Sequence, residues 1–167
     1  MSPRVIIVGA PGSGKSTVGP LIADRLGVAF RDTDADVEAT AGMTISELFV
    51  EKGEPYFRDL EAKAVRTAVA THDGVLSLGG GAIMRADTRQ VLAGQHVAYL
   101  EVNLAEAARR AGLSTARPLL LGNVRGQLGQ LLDQRRPLYE QVATITVSTV
   151  DRTPEEVADL IVKELPA

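Results

Sequence analysis

At 167 residues, 45% hydrophobic and 23% charged, the chain has the composition of one ordinary globular domain. A net charge of −3 argues against nucleic-acid binding through a broad basic face, and the absence of cysteine removes disulfides and thiolate metal sites. The opening MSPRVIIVGAPG holds too few consecutive apolar residues for a signal segment or a membrane span, so a cytoplasmic protein with neither membrane nor nucleic-acid partners is expected.

Short β-rich runs alternate with helical patterns along the chain. RVIIV (4–8) reads as the first strand, and KSTVGPLIADRLG follows it with Val18, Leu21, Ile22 and Leu26 at helical spacing before a terminating glycine. Pro20 lies past the first turn of that helix, where a proline costs about 3 kcal/mol, so a bend or a compensated end is expected. VAFRD (28–32) reads as the second strand. Thr44 and Glu47 form a capping box for a helix to about Lys52, and a longer helix begins near Pro55. GVLSL (74–78) and HVAYLEV (96–102) read as the third and fourth strands. GLSTARPLLLGNVR then reads as a mobile loop, and RGQLGQLLDQRRPLYEQVA as a helix that must accommodate Pro137. TITVS (144–148) is the fifth strand, and a capping box from Thr153 to Glu156 opens the last helix. Five strands separated by helices predict an α/β fold with a parallel sheet. His72 and His96 sit at strand edges and receive no role.

Gly9 to Ser16, GAPGSGKS, fits G-x-x-x-x-G-K-[ST] at every defined position and lies between a strand and a helix, as the motif requires. Glycines allow backbone N–H groups to surround phosphate oxygens, Lys15 reaches the outer phosphates, and Ser16 can ligate Mg²⁺. The nucleotide-binding stretch is thus Gly12, Ser13, Gly14, Lys15, Ser16 and Thr17. The blander reading is a strand–turn–helix junction with a chance lysine.

The second strand ends in RDTD, which places Asp32 and Asp34 at the carboxyl edge of the sheet, where open α/β folds bind ligands. The third strand instead runs into Gly79-Gly80-Gly81 with no acid at its end. Mg²⁺ therefore finds its carboxylate at Asp32 and leaves Asp34 to face an acceptor hydroxyl, although one of the two can also cap a helix. The triple glycine is either a flexible turn or a surface that a small substrate approaches closely. Arg58 and Glu61 share one helical face, so the carboxylate can hold the guanidinium, and Arg136 is a second arginine that could meet the same anion. Phe49 and Phe57 are core residues by default.

GAPGSGKST, DTDADVE, GEPYFRDLE, LSLGGGAI, RPLL and RRPLYEQVA resemble, in order and spacing, the shikimate kinases, over essentially the whole chain. The resemblance implies the fold of nucleoside monophosphate kinases: one domain over 1–167, a five-stranded parallel sheet in the order 2-3-1-4-5, a substrate-binding region at 33–61 and a lid at 112–125. It also implies MgATP-dependent phosphorylation of the 3-hydroxyl of shikimate, on the route to chorismate and the aromatic amino acids, by a monomer. On this resemblance Lys15 and Arg117 stabilise the transferring phosphoryl group, Ser16 and Asp32 serve Mg²⁺, and Asp34 orients or deprotonates the acceptor. Arg58, Arg136, Gly79, Gly80 and Gly81 hold the substrate, with Glu61 orienting Arg58 and with Phe49 and Phe57 alongside. Arg110 and Pro154 lie near the adenine. The rival readings are a kinase of another small hydroxylated acceptor, such as gluconate or a nucleoside monophosphate, and a P-loop switch that orders a partner-binding loop.

Overall fold

A computed structural model describes residues 2–110 and 118–166, without the side chains of 118–125. Five parallel strands form one sheet in the order β2-β3-β1-β4-β5: β1 (Val5–Val8), β2 (Phe30–Asp32), β3 (Val75–Ser77), β4 (Val97–Glu101) and β5 (Ile145–Ser148). The helices are α1 (Lys15–Leu26), α2 (Thr33–Ala41), α3 (Ile45–Glu51), α4 (Glu54–Thr71), α5 (Ala86–Val91), α6 (Leu104–Arg110), α7 (Pro118–Val142) and α8 (Pro154–Glu164). The fold and strand order match the sequence expectation.

The inner strands β3, β1 and β4 are buried on both faces, which is why they read as apolar runs rather than alternating ones, whereas the edge strands β2 and β5 are partly exposed. Val5 and Ile7 pack with Ala98 and Leu100 against α1 and α8, through Val18, Ile22, Val157 and Ile161. Ile6 and Val8, pointing the opposite way, pack with Leu76, Leu78 and Tyr99 beneath α4, α5 and α7, through Val65, Leu92, Leu132 and Tyr139. A smaller cluster of Val37, Leu48 and Phe57 joins α2, α3 and α4.

Several local expectations need adjustment. The helix around Pro20 runs unbroken to Leu26, with Pro20 itself exposed. The Thr153 capping box is complete, but at Thr44 only half of it forms: Thr44 accepts the Glu47 N–H, while Glu38 takes the Ile45 N–H. The segment read as a loop up to Arg125 is helical from Pro118 onward, because a proline at the first helical position is already set to the helical φ and needs no N–H. The residues from Ala111 to Arg117, with most of the expected lid's first half, lie outside the described residues.

Candidate active site

All strands run the same way, so the β1–α1 loop, the start of α2 and the glycine run after β3 gather at one edge of the sheet. Within the β1–α1 loop, Gly12 and Gly14 take φ of 82° and 100°, which a Cβ disfavours. The helix α1 opens at Lys15 with no side-chain cap, so first-turn N–H groups and the positive end of the helix dipole remain available to an anion. Lys15 Nζ donates to the carbonyls of Gly9 at 2.7 Å and Ala10 at 3.1 Å, which fixes the ammonium over the loop. Burial pulls its pKa down to about 8, against the opposing charges of Asp34 and Asp32, so it remains a cation at neutral pH. Ser13 Oγ is buried and has no hydrogen-bond partner among the described residues, so the loop retains an uncommitted hydroxyl.

Asp32 ends β2 and caps α2, accepting the Asp34 N–H at 2.9 Å. The Thr33 hydroxyl donates to the Ser77 carbonyl, which ties this corner to β3. Asp34 therefore leaves the first turn of α2 in a fixed direction. It lines a cleft of about 290 Å³ with Gly12, Gly14, Lys15, Ser16 and Asp32. Burial first, and the Asp32 charge second, raise the Asp34 pKa above its usual range, with Lys15 opposing.

Beside that cleft, and sharing Asp34 with it, lies a second cavity of about 220 Å³ lined by Phe49, Phe57, Arg58, Glu61, the glycine run and Arg135. Arg58 donates to Glu61 at 2.7 Å and lies 5.1 Å from the Phe57 ring centre. Glu61 is only 3% exposed, and burial raises its pKa although the Arg58 bond opposes the shift. The glycines leave room for side chains that approach closely. A Cβ on Gly79 would stand 2.6 Å from Asp34 Oδ1, and one on Gly81 would stand 2.8 Å from Arg58 Cζ. On Gly80 it would meet Pro11 at 3.0 Å and Arg135 at 3.4 Å. None of the three has the positive φ of a glycine turn.

A third cavity, of about 720 Å³, opens on the other side of the loop between α1, α6 and the β5–α8 connection. Its lining includes Ser13, Gly14, Thr17, Arg110, Thr149 and Pro154. Arg110 spans it, donating to Gly12 O, Thr149 Oγ1 and Thr149 O, each at 3.1 Å.

The shikimate kinase family profile matches residues 11–166, and a shikimate kinase of Thermobifida fusca is 57% identical over 99% of this chain and 96% of its own length. The chain belongs to the shikimate kinase family. A shikimate kinase of Streptomyces avermitilis is 55% identical over 98% of this chain and 95% of its own. Among solved structures, a shikimate kinase from Acinetobacter baumannii in complex with shikimate superposes with a TM-score of 0.87 at 34% identity, over 98% of this chain and 92% of that one. A gluconokinase from Sinorhizobium meliloti 1021 reaches a TM-score of 0.58 at 20% identity, over 95% and 89% of the two chains, and shares the fold alone.

The structure brings many of the residues named from the sequence of this family member together around three cavities. Gly12, Gly14, Lys15, Ser16, Asp32 and Asp34 meet in one cleft, and Arg110 and Pro154 border the large cavity with Ser13, Gly14 and Thr17. Arg58, Glu61, Phe49, Phe57 and Gly79 to Gly81 surround the small one. Arg136 does not belong with them. It is 45% exposed and lies in a separate cleft with Glu101, Asn103 and Ser148, its nearest carboxylate being Asp133 at 3.9 Å. Successive helical side chains point about 100° apart, so of two adjacent arginines only one can face the glycine run. That one is Arg135, on the same face as Leu131, which lines the cavity, and Tyr139, which is buried beneath it. The i, i+4 relation to an aromatic residue was the available signal for choosing between them. Thr149 was also missed, a lone threonine after a strand that carries no motif. Arg117 lies outside the described residues.

Proposed function

We propose that the protein transfers the terminal phosphoryl group of ATP to the 3-hydroxyl of shikimate, as one catalytic domain. The observation that carries this reading is Asp34: a single carboxylate lines both the P-loop cleft, with Lys15 and Ser16, and the adjoining cavity, with Arg58 and Arg135. A carboxylate at that junction is placed to accept a proton from an acceptor hydroxyl facing a bound phosphate.

Two guanidinium groups on either side of side-chain-free backbone suit a small carboxylated polyol, with Arg58 and Arg135 taking the carboxylate and the glycine run admitting the ring. The raised pKa of Asp34 makes it a better proton acceptor than a solvated aspartate. As the acceptor oxygen bonds to the phosphorus and the bond to the ADP oxygen breaks, the hydroxyl proton passes to Asp34. Lys15 and the first-turn N–H groups of α1 offset the charge on the phosphoryl oxygens, so the work is mostly positioning and electrostatics.

The 720 Å³ cavity has room for the nucleoside, with Arg110 and Pro154 at its wall. The donor set beside Lys15, one hydroxyl and one or two carboxylates, suits Mg²⁺, which keeps phosphate and water as its other ligands. Ser16 and Asp32 would hold the ion, which when bound neutralises phosphate charge.

The test is ADP release from ATP with shikimate, gluconate or a nucleoside monophosphate as acceptor. Release that depends on shikimate and is fastest with it is the expected result. Faster release with gluconate would replace the acceptor assignment, and nucleotide binding without turnover on any acceptor would replace the enzymatic reading with the switch.

A further inference from the structure

Tyr139 is a buried residue whose hydroxyl reaches the lining of the acceptor cavity and for which the proposed chemistry has no use. It is 1% exposed, and its ring stacks on Tyr99 with centroids 5.0 Å apart. Its hydroxyl donates to the Gly80 carbonyl at 2.5 Å, across 59 residues of chain. One turn earlier on the same face of α7, Arg135 carries a guanidinium that reaches to 3.4 Å from the Cβ position of Gly80. Gly80 is thus held from two sides by one helix turn, the hydroxyl at its carbonyl and the guanidinium over its Cα.

We infer that Tyr139 is a positioning residue that sets Arg135 and the Gly79–Gly81 backbone at a fixed spacing in the acceptor cavity. The inference rests on the acceptor reading above. Burial pushes the hydroxyl up to about 12, with the Arg135 charge and its hydrogen bond opposing, so the group remains a neutral donor at any pH at which the protein works. Pro137 sits between the two residues and removes a backbone N–H from α7, so this turn has one ladder bond fewer and the tyrosine anchor adds a tertiary tie to it. An arginine on such a turn keeps its direction only as well as the anchor below it.

Tyr139→Phe keeps the ring, its stacking and its volume, and removes only the hydroxyl. The expected result is an increase of about tenfold in KM for shikimate with KM for ATP unchanged, the size of one lost hydrogen bond. Combined with Arg135→Lys, the KM penalties should multiply to less than their product, because both act on one contact. Tyr99→Phe removes the other hydroxyl of the stacked pair and should leave KM for shikimate unchanged. A Tyr139→Phe enzyme that melts earlier but keeps wild-type KM for shikimate would reduce the residue to a structural one and overturn the inference, as would KM values for shikimate and ATP rising together. Wild-type turnover with shikimate is measured first. If it is absent, the acceptor reading fails, and this inference with it, before any variant is made.

Discussion

At the scale of single residues, the site holds its charges at a cost to the fold. The ionised form of Asp34 is disfavoured by burial and by Asp32, so its folded pKa lies above the unfolded value of 3.8. Between those two values the native state keeps a proton that the unfolded chain has released, and stability falls as pH rises through that window. Above it the full cost persists. Asp34→Asn should therefore melt at a higher temperature than wild type at pH 7, with the difference closing below pH 3.8, while kcat falls by about 10²–10⁴-fold, the usual contribution of a general base. A variant that melts earlier at pH 7 would contradict the burial account. For Lys15 the sign reverses. Its pKa falls from 10.5 to about 8, so the native state loses its proton first and its contribution to stability rises with pH between those values. Lys15→Met should flatten that rise in a series of melts from pH 7.5 to 10.5 and reduce kcat by about 10²-fold or more. Turnover within a few-fold of wild type would remove Lys15 from the phosphate site.

At the scale of elements, the glycine run after β3 acts as three separate fitting surfaces. Gly79 makes room for Asp34 and Glu61, and Gly81 for the Arg58 guanidinium. Alanine at each position should then damage different kinetic constants. On the proposed function, Gly79→Ala displaces Asp34, the group assigned to the acceptor hydroxyl, and should mainly lower kcat, whereas Gly81→Ala displaces Arg58, assigned to the carboxylate, and should mainly raise KM for shikimate. Displacements near 1 Å at such positions cost about 10²-fold, so steady-state kinetics resolves the two patterns easily. If both substitutions change the same constant by the same factor, the run is a flexible turn after all.

At the scale of the whole molecule, the architecture was legible because both determinants of a parallel sheet are local. VIIV, buried on both faces, cannot be mistaken for an amphipathic strand, and the P-loop lies where a strand meets a helix. The small helix α2 was read only as a cap signal, because TDADVEATA carries no apolar stripe and is held instead by Asp32 and by Val37 in a minor cluster. The motif residues that the fold gathers around the cavities were named from the sequence too. The sequence reading took Arg136 where the cavity holds Arg135: the two differ only in helical phase, which the contact of Tyr139 with Gly80 fixes and which an aromatic residue four positions after Arg135 signals only indirectly. The triple glycine was legible as a place of close approach but not as to which side chain each glycine admits.

The central claim is that Arg58 and Arg135, from α4 and α7, read one carboxylate beside the phosphoryl-transfer site. It is tested most directly by kcat/KM for shikimate and for its methyl ester, with wild type, Arg58→Lys, Arg135→Lys and Arg136→Lys. Lysine keeps the charge and loses the planar fork. The account predicts that Arg58→Lys and Arg135→Lys each lower kcat/KM for the acid by about 10-fold or more and for the ester much less, while Arg136→Lys stays near wild type on both. Equal penalties on acid and ester at Arg58 and Arg135, or a selective loss with the acid at Arg136, would contradict it.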